Sequence, residues 1–131
     1  MTSKPALVRE DDREWERWPR EQVAQRGDVR WRTLISAGVT PSDSLTLGVA
    51  YLSPGETLCR HRHEQAEAYL VLDGTGILTI DGAPHALEPG TGVFIPGNAV
   101  HSVESTGQID LRVAYVLAAD AFEDVEYVFG E

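Results

Sequence analysis

From Ser44 onward the chain alternates with period two and is cut at short intervals by turn-forming pairs, a pattern that reads as a succession of half-buried strands. In SLTLGVAYL, Leu45, Leu47, Val49 and Tyr51 share one face, and Thr46, Gly48, Ala50 and Leu52 share the other. Further short apolar runs lie at 68–72, 76–80, 92–95, 100–103 and 109–117, separated by Pro-Gly, Asp-Gly and Gly-Asn signals. Strands this short at this spacing predict an all-β sandwich or barrel. Asp81-Gly82, between TGILTI and APHAL, predicts a two-residue type I′ hairpin, in which both central residues need positive φ. Asp73-Gly74 is read as a second turn of the same kind.

The segment before this pattern differs. Asp11 to Arg26 is rich in Arg and Glu, with Trp15, Trp18 and Val23 spaced for one helical face and Pro19 interrupting it. The expectation is a short helical arm over 1–27, broken near Pro19, followed by a barrel domain over 28–131. The arm's tryptophans pack on the barrel in the plain reading and form a lid or dimer contact in the other. The tail, DAFEDVEYVFGE, places Phe122, Val125, Tyr127 and Phe129 where they can cover one barrel mouth.

At 131 residues with 42% hydrophobic composition, the chain has room for one domain and its core. No apolar run approaches the roughly 20 residues of a membrane helix. The first residues, MTSKPALVREDDREWERW, hold no apolar signal core and are too acidic for a transit peptide, so a cytoplasmic protein is expected. Cys59 is the only cysteine, which excludes an internal disulfide and a cysteine-built zinc site. A formal net charge of −10 repels phosphate backbones and anionic lipid, so neither nucleic acid nor membrane is an expected partner. Beyond Arg62 only Arg112 is basic, leaving an acidic second half that solubilises the surface and mildly favours a cationic small molecule.

Three residues of metal-ligating type fall within seven positions, His61, His63 and Glu67, and His101 follows thirty-four residues after Glu67. Residues i and i+2 of a strand point to one face, so His61 and His63 can converge on one ion while Arg62 points away; Glu67 arrives from the next strand. Three imidazoles and a carboxylate suit one divalent first-row ion, Fe, Mn, Ni, Co or Zn, with positions left for water or substrate. Taken alone, each histidine is more often a packed residue than a ligand; the joint spacing favours a metal site. His85, near the Asp81-Gly82 turn, is expected to be exposed.

The two stretches GETLCRHRHEQAEAYLVLDG and GTGVFIPGNAVH resemble the two motifs of the cupin superfamily. That resemblance implies a single jelly-roll-like β-barrel holding a three-histidine, one-glutamate metal site, and, by analogy, a homodimer. Two positions depart from the usual second motif, Asn98 for glycine and Ser105 for asparagine. Neither is a ligand, and Asn tolerates the left-handed backbone that glycine would supply.

Val29 to Trp31, SLTLGVA, the Glu67-x-Tyr69 pair, GNAVH and Val125 to Tyr127 are together similar to the small cupin lyases that cleave dimethylsulfoniopropionate to dimethyl sulfide and acrylate. In that family a tyrosine two residues after the glutamate ligand removes the α-proton, which implies this role for Tyr69, and Tyr127 matches a second active-site tyrosine. Strand alternation puts Tyr69 on the face of Glu67, beside the ion. Its phenolate would need a neighbouring cation, because a free tyrosine has a pKa of about 10. Aromatic faces of Trp31, Tyr69, Phe122 or Tyr127 can hold a sulfonium at about 0.5 to 2 kcal/mol each. Trp31, Tyr51 and Phe122 are the expected substrate-binding residues, and a small carboxylate is the expected substrate. Rival readings are another metal-dependent cupin enzyme, a dioxygenase or isomerase, and a non-catalytic small-ligand binder.

Overall fold

Period-two sequence becomes two antiparallel sheets in the computed structural model, which describes residues 3–130; Met1, Thr2 and Glu131, at the ends of the two expected segments, lie outside them. The larger sheet runs β1 (Glu16–Arg17), β2 (Arg30–Ile35), β3 (Thr46–Leu52), β10 (Leu111–Leu117), β5 (Glu67–Asp73), β8 (Gly92–Ile95). The smaller runs β11 (Val128–Phe129), β4 (Thr57–Arg62), β9 (His101–Ser105), β6 (Gly76–Ile80), β7 (Ala83–Leu87). The inner faces enclose a core that includes Leu52, Leu78, Leu87, Ile95, Leu111 and Leu117, so the expected all-β barrel forms. No helix among the described residues is long and apolar enough to cross a membrane.

On β10 strict alternation buries Leu111, Val113, Tyr115 and Leu117, and on β5 it turns Glu67, Tyr69 and Val71 inward. Each row of the larger sheet is therefore a line of neighbours. Tyr69 stands opposite Tyr115, Tyr115 opposite Gly48, and Gly48 opposite Thr33. Gly48 is small for a reason, since a Cβ there would lie 2.3 Å from the Tyr115 hydroxyl.

Asp81 and Gly82 both adopt positive φ, 48° and 85°, and close the β6–β7 hairpin. Asn98, at φ 64°, takes the left-handed conformation, and its N–H donates to the His63 carbonyl at 2.7 Å. Asp73-Gly74 differs from expectation: only Gly74 has positive φ, and the turn passes the chain from one sheet to the other, so it closes no hairpin.

The arm is less helical than its composition predicts. It holds 3-10 turns at Glu10–Asp12 and Arg20–Gln22 and one α-helical turn, α1 (Val23–Arg26). Between them Glu16–Arg17 is extended and pairs with β2, and the Glu16 carboxylate accepts the Thr33 N–H at 2.9 Å. An open strand edge supplies more hydrogen bonds to this segment than an isolated helix of its length could keep in water. On the outer sheet face the Glu10 carboxylate accepts from Arg112 (2.8 Å), Arg32 (3.3 Å) and the Tyr51 hydroxyl. Trp15 lies edge-on to Tyr51, with the Arg32 guanidinium 3.9 Å from its ring centroid.

Candidate metal centre and cavity

His61 and His101 face each other across the β4–β9 pair, their ring centroids 4.2 Å apart. Strict alternation would put Leu58 and His61, three positions apart, on opposite faces of β4. The register shift between them is a β-bulge: three steps on β4 match two on β9, and both side chains turn inward. His63 follows just beyond β4, and Glu67 opens β5.

One donor nitrogen each from His61, His63 and His101 lies within 4.8 Å of the others. The Glu67 carboxylate is 3.1 Å from His63 Nε2 and 3.4 Å from His101 Nε2. Donors about 2.0 to 2.2 Å from a shared ion stand about 3 to 3.5 Å from their neighbours, so the spacing of the carboxylate fits an ion's coordination shell. The other ring nitrogens are tied to backbone carbonyls: His61 Nδ1 to Cys59 (2.8 Å), His63 Nδ1 to Gln65 (2.9 Å) and His101 Nδ1 to Ala99 (2.9 Å). A carbonyl can only accept, so each Nδ1 carries the proton and each Nε2 presents a lone pair. His101 Nε2 is fully buried and makes no well-directed hydrogen bond. An unpaired imidazole nitrogen facing two other imidazoles and a carboxylate is a donor set that fits a cation.

Burial, reinforced by His101, depresses the His61 pKa to about 3, which keeps that ring neutral. Burial also opposes charge on His63 and Glu67, but the nearby carboxylate outweighs it at His63, whose pKa rises, and His101 and His63 together outweigh it at Glu67, whose pKa falls.

Beside this cluster lies a narrow, mostly apolar cavity of about 50 Å³. Glu67 is its anionic lining residue, and Tyr69, Tyr127, Trp31 and Phe122 line it too. Neither the Tyr69 nor the Tyr127 ring leaves its hydroxyl hydrogen-bonded to another described residue. Burial first, and then Glu67, push both pKa values well above the ordinary tyrosine value. The Tyr127 ring centroid is 5.3 Å from that of His63 and 5.4 Å from that of His61. Trp18 closes the wall from the arm, 4.7 Å from Trp31 and 5.3 Å from Tyr127.

Tyr51 is not brought to this cavity. It occupies the outer face of β3, held by Glu10, Arg112 and Trp15, whereas Ala50 and Leu52 point inward. The cavity instead gains Tyr115 and Trp18, which the sequence reading did not single out as site residues. The signal for Tyr115 was its place in LRVAYVL opposite Tyr69, visible only once the strand register is known. His85 is exposed, on the outer strand β7.

Comparison with known proteins gives the same picture. The Cupin domain family profile matches residues 48–117. The dimethylsulfoniopropionate lyase DddW of Ruegeria pomeroyi is 46% identical over 103 residues, which cover 79% of this chain and 67% of that protein. The protein SchB of Streptomyces halstedii is 33% identical over 92 residues, covering 70% of this chain and 65% of SchB. Among solved structures, a cupin-2 domain protein from Rhodospirillum rubrum superposes with a TM-score of 0.76 at 20% identity, over 100% of this chain and 84% of that one. A structure from a study of the lyases RdDddP and RnDddQII gives 0.72 at 23% identity, over 91% of this chain and 63% of that one. At these identities the superpositions speak for the fold.

Proposed function

The chain belongs to the cupin family, and from that premise we propose that it is a metal-dependent carbon–sulfur lyase cleaving dimethylsulfoniopropionate to dimethyl sulfide and acrylate. The observation that carries this reading is the Tyr69 hydroxyl, without a hydrogen-bond partner among the described residues, in an aromatic-walled cavity it shares with Glu67. The similarity to DddW supports the choice of substrate.

His61, His63, Glu67 and His101 would hold one divalent transition ion, Fe, Mn, Ni, Co or Zn. When bound, the ion supplies a Lewis acid for the substrate carboxylate and the positive charge that a buried phenolate requires. Trp31, Phe122 and Tyr127 offer ring faces to the sulfonium, the only cation-binding chemistry an apolar wall provides. Tyr69, as phenolate, takes the α-proton. The electron pair of that C–H bond forms the new C=C bond, the C–S bond breaks, and its pair leaves on sulfur as neutral dimethyl sulfide. Acrylate remains, and the Tyr69 phenol returns its proton to solvent. Tyr127, over the histidine rings, is a second hydroxyl within the same wall and orients the substrate.

Purified protein loaded in turn with each of the five metals and given dimethylsulfoniopropionate should release dimethyl sulfide into the headspace. No release with any of them rejects the lyase reading; oxygen uptake with other carboxylates would favour a dioxygenase. A homodimer belongs to the same proposal. Its support is the bare half of the larger sheet's outer face, where Leu70 and Phe94 are 48% and 68% exposed beside Ala68 and Val116. The arm covers only the other half.

A further inference from the structure

The cavity has a neighbour. A cleft lies between the arm (Arg13 to Glu16), the end of β2 with the turn after it (Thr33, Ser36 to Val39) and the 3-10 turn Phe122–Asp124. Phe122 lines both the cleft and the cavity, so its ring is the partition between them. The backbone behind the ring is fixed, the Phe122 N–H donating to Ser36 Oγ at 3.0 Å and its carbonyl accepting from Val125 at 3.0 Å. Only the side-chain torsions are free to move.

Two further groups stand at this partition. Thr33 lines the cleft and Tyr115 lines the cavity, in one row of the sheet on either side of Gly48. Both are buried, 3% and 6% exposed, and the two hydroxyls lie within reach of each other with no well-directed bond to any other described residue. Buried hydroxyls left short of partners are costly, and they are found where water or a ligand pairs with them in a second state. A passing carboxylate or its water would pair with both. The cleft is lined by Glu14, Glu16 and Glu123 against the single cation Arg13, an arrangement that draws in the onium end of a zwitterion.

The barrel mouth on the other side is capped by aromatic rings. Trp18, Tyr127 and Phe129 stack there within 6.0 Å of one another, and the Arg26 guanidinium lies 4.7 Å from both the Trp18 and the Phe129 ring centroids. Opening that route means parting three rings and the guanidinium over them, whereas on the cleft route one ring, Phe122, turns past its contacts with Trp31 and Tyr127.

We propose that the arm-side cleft is the entrance to the cavity and that Phe122 is its gate, admitting a small onium carboxylate past the hydroxyls of Thr33 and Tyr115. The identity of the passenger rests on the lyase reading; the gate does not.

The test therefore has two arms. In the first, Val113→Cys in a Cys59→Ser background places a thiol on the cavity wall, and its modification by trimethylammonioethyl methanethiosulfonate is timed by mass spectrometry. Adding Phe122→Ala should speed modification at least tenfold, Phe122→Trp should slow it, and Trp18→Ala should change it less than twofold. Should Val113→Cys fold poorly, the same comparison is made with Ala50→Cys, on β3 in the same wall. Rates indifferent to residue 122, or governed by residue 18, overturn the gate. In the second arm, stopped-flow tryptophan fluorescence follows binding of 3-(trimethylammonio)propionate to the metal-loaded protein. A gate moves both rates, so Phe122→Ala should raise association as well as dissociation, dissociation the more because the onium group also loses one ring face. If Phe122→Ala changes dissociation alone, Phe122 is a wall residue and the gate is refuted. If the unaltered protein binds no onium carboxylate while the first arm succeeds, the lyase reading falls and the gate stands.

Discussion

Tyr69 and His63 sit six residues apart and fail in different ways. Tyr69→Phe removes only a hydroxyl that no described residue binds, so packing and the donor cluster are untouched. Loss of the base should lower kcat by about 10² to 10⁴ with the metal content unchanged, read as dimethyl sulfide release beside elemental analysis. His63→Ala breaks the contact to Glu67 and should empty the site first, with activity falling in proportion to occupancy. Gly48 makes a different demand. An alanine methyl there would meet the Tyr115 hydroxyl at 2.3 Å and the Arg32 carbonyl at 2.9 Å, so Gly48→Ala should cost about 1 to 3 kcal/mol, seen as a lower urea midpoint at unchanged m-value.

Among the elements, the arm carries the clearest pH dependence. Burial raises the Glu10 pKa, but hydrogen bonds from Tyr51, Arg112 and Arg32 outweigh it, and the folded value lies below the ordinary 4.5. A carboxylate depressed in the folded state stabilises it fully above its unfolded pKa and loses that contribution as pH falls through the folded one. The arm should therefore stay docked at neutral pH and loosen below pH 4.5, as reported by the fluorescence of Trp15, which packs on Tyr51 only while the arm is docked. Glu10→Gln should mimic the acid state at pH 7, costing on the order of 1 to 2 kcal/mol. The same elements separate what sequence makes legible from what it hides. The Asp81-Gly82 hairpin and the left-handed Asn98 were readable because each depends on two or three local residues. The β4 bulge that turns both Leu58 and His61 inward was not, being a property of a strand pair. Tyr51 was misplaced because both faces of β3 are apolar; the outer one is covered by the arm, which leaves Val49 5% exposed. The arm in turn was read as helix because its extended stretch depends on an edge that only the folded sheet offers.

For the whole molecule, the uncovered outer face sets the expected assembly. Rows Leu47–Val116–Ala68–Phe94 and Val49–Ala114–Leu70 cross the larger sheet without a charge. A stable homodimer needs about 800 Å² from each partner, and Phe94→Glu would place a charge at the most exposed apolar residue of that face. Light scattering after gel filtration should give a dimer for the unaltered chain and a monomer for Phe94→Glu, with the metal content of both alike. A monomer in both would remove this face from the assembly.

The donors of the metal cluster are complete once residue 101 has been added, whereas the rings that lie over them, Tyr127 and Phe129, come from β11 and the turn before it, joined to β4 at only two positions. Unzipping that two-residue pairing would uncover the imidazoles while the rest of the barrel stays folded, so an ion could exchange by release of the tail without global unfolding.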